Sequence, residues 1–168
     1  MTLSSRSFLG GVGPALLPLL PAALSGPRQS AGSSLVQFWY GNRALHYECW
    51  LRRRQSLLEL GLHFEADPLT NERLLGAFRG HQRAIHRGLG PDVRLEEWDR
   101  GWARIWESVP LRVLDERVRD EVAARLARYI VTLEPLLREA LPADTPWRLA
   151  AATGSPRPAA GRPRSGAR

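Results

Sequence analysis

The sequence contains no lysine; all 24 of its basic residues are arginine. A nuclease-type metal site usually sets a lysine beside its acids, so that chemistry loses its usual helper. Cysteine occurs once, at Cys49, which excludes a disulfide framework and a four-thiolate zinc site. No apolar run reaches the roughly 18–20 residues of a membrane-spanning helix. There is no GxGxxG, no P-loop and no internal repeat. What is present is a chain of 168 residues, 43% hydrophobic and 24% charged. That is enough for one ordinary domain, and the composition is globular rather than wholly disordered.

The net charge of +7 is unevenly distributed. Between positions 35 and 141, 17 arginines meet 16 acids, whereas the two ends hold seven arginines and one acid, Asp144. The expected folded part is therefore nearly neutral, unlike the basic surface of a duplex-binding domain. Residues 1–34 are Gly, Pro, Ser, Ala and Leu in the main. Arg6, the apolar stretch Phe8–Leu24 and the small residues near Ser25 give positions 1–25 the outline of a secretory signal. Pro14, Pro18 and Pro21 break that stretch, so residues 1–34 are expected to be disordered or signal-like. Residues 142–168, rich in Pro, Ala, Gly and Arg, cannot bury enough surface to offset ordering entropy and are expected to be a disordered tail. The expected compartment is the cytoplasm, with secretion through the signal-like segment as the alternative.

Residues 35–141 read as a single α+β domain. Leu35–Tyr40, Ala44–Leu51 and Leu57–Phe64 alternate as strands. Gly41-Asn42 suits a two-residue hairpin turn, and Arg52–Ser56 a charged hairpin end. Asp67-Pro68 starts a helix, with Leu74, Leu75, Phe78 and Ile85 on one face, and Gly90-Pro91 stops it. Val93–Trp98 and Trp102–Val109 form another hairpin around Asp99-Arg100-Gly101. Pro110 opens a long helix whose apolar stripe runs from Leu114 to Leu137, with Pro135 a point of kinking or shortening. The expected order is β-β-β-α-β-β-α: an antiparallel five-stranded sheet with two helices on one face.

Strand alternation then sorts the two faces. Leu45, Tyr47, Cys49, Leu51, Leu58, Leu60, Leu62 and Phe64 face the helices, as do Leu95, Ala103 and Ile105. The open face receives Gln37, Trp39, His46, Glu48, Trp50, Glu59, Gly61, His63 and Glu65. The last hairpin adds Arg94, Glu96, Trp98, Trp102, Arg104 and Trp106. A solvated sheet face rarely carries five tryptophans, and a group of exposed indoles marks an interaction site. The candidate binding residues are therefore Trp50, Trp98, Trp102, Trp106, Arg94 and Arg104. The competing reading is that the N-terminal segment or the tail folds over this face and makes a second core.

Other chemistry is sparser. His46, Glu48 and His63, with Glu59 and Glu65, are candidate metal ligands if the register brings them together; otherwise they are cross-strand pairs on a wet face. Cys49 reads as an inert buried thiol. His81 and His86 are five apart and do not share a helix face. No catalytic residue and no cofactor are implied.

The β-β-β-α-β-β-α order resembles the type III secretion chaperone-like fold, which carries an additional N-terminal helix and works as a dimeric peptide-binding module. The run Leu58–Phe64, the helix after it, Leu89-Gly90 and Leu95-Glu96-Glu97-Trp98 also look like uncharacterised bacterial domains found beside restriction-type nuclease modules. The second likeness spans about 50 residues of generic pattern and carries no catalytic residue over.

The expected function is a small non-catalytic binding or assembly domain. It would use the Trp- and Arg-rich open face for protein or peptide association, self-association as a homodimer included. One alternative is a nucleic-acid-associated accessory protein, with bases stacked on the indoles and the arginine tails on phosphate. The other is a metal-dependent enzyme at His46 and His63.

Overall fold

The computed structural model of the protein describes residues 1–141; the expected tail at 142–168 lies outside them. Ten elements follow one another: α1 Ser5–Leu16, β1 Arg28–Ala31, β2 Leu35–Trp39, β3 Leu45–Arg52, β4 Leu57–Phe64, α2 Pro68–Gly80, α3 Gln82–Leu89, β5 Arg94–Trp98, β6 Trp102–Pro110 and α4 Glu116–Ala140. All strands join one antiparallel sheet in the order β1-β2-β3-β4-β6-β5.

The class is α+β, but the expected five strands and two helices are corrected to six and four. Two of the additions come from residues 1–34. The Ser4 hydroxyl caps α1 by accepting the Ser7 N–H at 3.1 Å. Phe8, Leu9, Val12 and Leu16 then form a buried stripe against α4. The three glycines and Pro14 of this helix carry low intrinsic propensity, and burial of that stripe overrides them. Arg28–Ala31 adds β1 to the outer edge of β2. The last addition is a break: the helix expected from Asp67 to Gly88 divides at Gly80-His81, where the His81 N–H turns back to the Phe78 carbonyl. Pro110 does not open α4. It ends β6 opposite Leu57, and α4 starts six residues later, at Glu116, under an Asp115 cap. Pro135 lies inside α4, which continues to Ala140.

One face of the sheet carries the core. Val36, Phe38, Leu45, Tyr47, Cys49, Leu51, Leu58, Leu60, Leu62, Phe64, Ala103 and Ile105 are buried there with the apolar stripes of the helices. Two acids enter this layer with partners. Glu107 pairs with Arg125 of α4, which also bonds the Leu89 carbonyl. Glu134 accepts the Tyr47 hydroxyl and the Arg138 Nε–H, both at 3.0 Å. Burial pushes Glu134 up from the ordinary carboxylate range, against the pull of Arg138 and Tyr47.

Turn chemistry sets the register. Asp67 caps α2 through the Thr70 N–H at 3.0 Å, as its sequence implies. Arg100 and Gly101 both adopt positive φ in the three-residue turn between β5 and β6, which gives the expected pairs Trp98–Trp102, Glu96–Arg104 and Arg94–Trp106. The β2–β3 connection is longer than the expected two residues, and Phe38 meets Tyr47 rather than Leu45. A slip of two residues leaves every side chain on its expected face, whereas a slip of one would reverse them all.

Candidate functional site

No described helix packs on the second face of the sheet. Strand pairing lays its side chains out in rows that run across the strands. One row reads Ser30, Gln37, Glu48, Gly61, Trp106, Arg94. The next reads His46, His63, Arg104, Glu96. On one side of these lie Trp98 and Trp102, and on the other Trp50, Glu59 and Ser108.

The centre of this face is polar and buried. His46, Glu48, Glu59 and His63 are each at most 2% exposed, so the expectation of a wet face is corrected. Gly61 is the reason they come together. It has no side chain, so Glu59 and His63 of the same strand reach towards each other across it, with Glu59 Oε1 at 3.7 Å from His63 Nε2. Arg104, opposite His63, donates Nη1–H to the same carboxyl at 2.6 Å and Nη2–H to Glu96 at 2.8 Å. Arg52 holds the other Glu59 oxygen at 3.2 Å. Burial raises the Glu59 pKa, and the two guanidiniums oppose the rise.

His46 and His63 are directly opposite on β3 and β4, and their rings stack 5.6 Å apart at 13°. His46 Nδ1 lies 2.9 Å from the Arg43 carbonyl, which can only accept, so Nδ1 carries the hydrogen. Its Nε2 lies 3.0 Å from the Gln37 amide and 3.5 Å from Glu48. Gln37 also donates to Glu48 at 2.9 Å. Burial pulls the His46 pKa down, but Glu48, with Glu65 and the Arg43 carbonyl, together outweigh it, and the net shift is upward.

The indoles and arginines lie over this polar centre. Arg43 covers Trp39 at 5.0 Å, Arg52 covers Trp50 at 4.7 Å and Arg104 covers Trp98 at 4.6 Å. Trp106 takes both Arg104 at 3.6 Å and Arg94 at 4.5 Å. Trp98 stands edge-on to His63 at 5.9 Å and leans against Trp102. Trp39, Trp50, Trp98 and Trp102 keep part of their surface in solvent, while Trp106 is 6% exposed. The expected patch of bare indole is therefore corrected: it is a row of partly buried rings, most under a guanidinium. The candidates Trp50, Trp98, Trp102, Trp106, Arg94 and Arg104 do share this face, as do His46, Glu48 and His63. Among the described residues, the N-terminal segment does not cover it; α1 packs on α4 on the other side.

Alternation placed Gln37 and Gly61 on this face but not what they do there: Gln37 links His46 to Glu48, and Gly61 leaves room beside the facing Trp106. Sequence reasoning missed Arg43, which lies over Trp39 from the turn after β2 and whose only signal was its proximity to a predicted hairpin.

No family model matches the chain, and no curated protein and no solved structure matches it either. Among the described residues, no helix is long and apolar enough to cross a membrane.

Proposed function

We propose that the protein is a non-catalytic binding module that takes up an acidic protein segment with apolar side chains on the open face of its sheet. The observation that carries this reading is the set Trp39, Trp50, Trp98 and Trp102, partly exposed together on a face left free by every described helix. Trp and Arg are enriched among the residues that carry binding energy at interfaces: Trp covers a large area with few torsions to fix, and Arg adds a planar fork of donors. Here the buried polar centre already holds the rings in place, which lowers the ordering cost of association.

Charge favours a protein segment over nucleic acid. Arg52 and Arg104 already serve Glu59 and Glu96, and Glu48 and Glu65 add negative charge to the same face. The exposed cations of the face are Arg28, the cross-strand partner of Trp39, and Arg43 and Arg94, each lying on an indole. A guanidinium so fixed presents its outer N–H groups to a carboxylate.

A random peptide library selected on the full chain tests the reading. Enriched peptides should be acidic with aromatic or aliphatic residues, and should bind W50S and W102S variants about tenfold or more weakly. If no peptide enriches, or if enriched peptides bind those variants as well as the parent, the reading fails. A single-stranded oligonucleotide bound in its place, with affinity collapsing as salt rises, would turn the assignment to nucleic acid. Sedimentation of the protein alone distinguishes a second copy as the occupant.

A further inference from the structure

We propose that His46, His63 and Glu65 form a binding site for a borderline divalent cation, Zn2+ being the reference case. The three residues occupy one end of the open face, where β3 leaves the Arg43 turn and β4 approaches α2. Each offers a donor atom, and the three atoms lie within 4.8 Å of one another. Donors that share one tetrahedral zinc at bonds of about 2.0–2.1 Å stand about 3.4 Å apart. Binding would draw the three donors together by rotation of their side chains. The sheet fixes the backbone spacing, because His46 and His63 are a direct cross-strand pair and Glu65 follows two residues after His63. A register slip of one residue would have placed the rings on opposite faces.

The surroundings of the imidazoles suit metal ligands. A histidine that gives one ring nitrogen to an ion usually donates the other N–H to a carboxylate or carbonyl, which orients the ring and raises its basicity. His63 has Glu59 at 3.7 Å from Nε2 and Glu65 at 4.0 Å from Nδ1. His46 has the Arg43 carbonyl at 2.9 Å from Nδ1, and Gln37 and Glu48 near Nε2. His46 offers Nε2 while its Nδ1–H stays on the Arg43 carbonyl, and His63 has a carboxylate within 4.0 Å of either nitrogen. Imidazole nitrogen with carboxylate oxygen is the donor set of zinc and its neighbours in the first transition row, rather than of magnesium or calcium. Glu65 is the one ligand with notable exposure, its side chain 22% accessible, and it marks the entry. The site is independent of peptide capture, since none of its ligands is a tryptophan or an exposed arginine.

The test uses untagged full-length protein stripped with a chelator and titrated with ZnCl2 by calorimetry. CoCl2 serves as a second probe, because its visible absorption reports nitrogen and oxygen donors. One ion per chain should bind; E65Q should weaken it about tenfold or more, and H63Q should abolish it. Partial quenching of the tryptophan emission by Ni2+ should follow the same order, since the Trp98 indole stands 5.9 Å from His63. If H63Q does not fold, as circular dichroism will show, E65Q decides, because its side chain is the accessible one. Absence of binding to the parent, or binding that neither variant weakens, overturns the proposal. Peptide binding by the zinc-free protein tests the other reading separately.

Discussion

Gly61 on β4 and Trp106 on β6 face each other so closely that a Cβ on Gly61 would stand 2.7 Å from the Trp106 Cβ and 2.5 Å from the Ile105 carbonyl oxygen. Both neighbours are fixed by the sheet. The glycine is needed for space, and the space is what lets the polar centre close over β4.

Gly61→Ala should therefore destabilise the protein although alanine suits a strand better than glycine in isolation. Forced separation of the central strands should cost about 1–3 kcal/mol. Urea unfolding measures it. A variant as stable as the parent would show that the strands part freely and that Gly61 does not set the spacing.

Arg104 and Glu59 form a buried pair at 2.6 Å. Arg104→Met leaves the Glu59 carboxylate with Arg52 alone and should cost about 3–5 kcal/mol. Adding Glu59→Gln to that variant removes the uncompensated charge and should recover part of the loss. A double-mutant cycle then reads a coupling of about 1–3 kcal/mol. Additive effects would mean that the two groups do not depend on each other.

Trp102 and Trp106 lie two residues apart on β6 and should behave differently. Trp106 is 6% exposed and lies between Arg94 and Arg104, so Trp106→Ser should cost about 3–5 kcal/mol of stability. Trp102 is partly exposed, and Trp102→Ser should alter stability far less while removing peptide binding. Thermal unfolding of the two single variants separates these roles. Equal losses of stability would make both rings part of the fold.

Glu134 gives a pH dependence of defined sign. Burial raises its folded pKa above the unfolded value, so the folded state holds the proton more tightly. Its penalty is absent below the ordinary carboxylate pKa and grows as pH rises through the raised value, where the chain must bury the anion. Glu134→Gln mimics the protonated form and keeps an acceptor for the Tyr47 hydroxyl. Its stability relative to the parent should improve from pH 4 towards pH 7. The facing groups are Tyr47 of β3, Tyr40, whose own pKa burial pushes up to about 12, and Arg138 one turn along α4. A difference between parent and variant that is flat over this range would show that Glu134 is not held in the environment described.

Much of the domain was legible in the chain. Alternation assigned Leu45, Tyr47, Leu60 and Leu62 to the core and placed Trp50, Trp98, Trp102 and Trp106 on the other face, because a strand has a side-chain period of two and a two-residue error in a turn does no harm. The Asp99-Arg100-Gly101 turn also fixed its hairpin, since its backbone requires positive φ at the end. The helix α1 was not legible. Its Gly and Pro content reads as disorder, and only the docking of Phe8, Leu9, Val12 and Leu16 on α4 makes the helix worth forming.

By itself, the sequence determined which residues share a face, because that follows from local backbone geometry. Whether those residues are wet or buried was decided only by the tertiary structure. Burial of His46, Glu48, Glu59 and His63 depends on the size and lean of neighbours from other strands and on the room left by Gly61. Those contacts join positions as far apart as Glu59 and Arg104, and no periodicity within one strand encodes them.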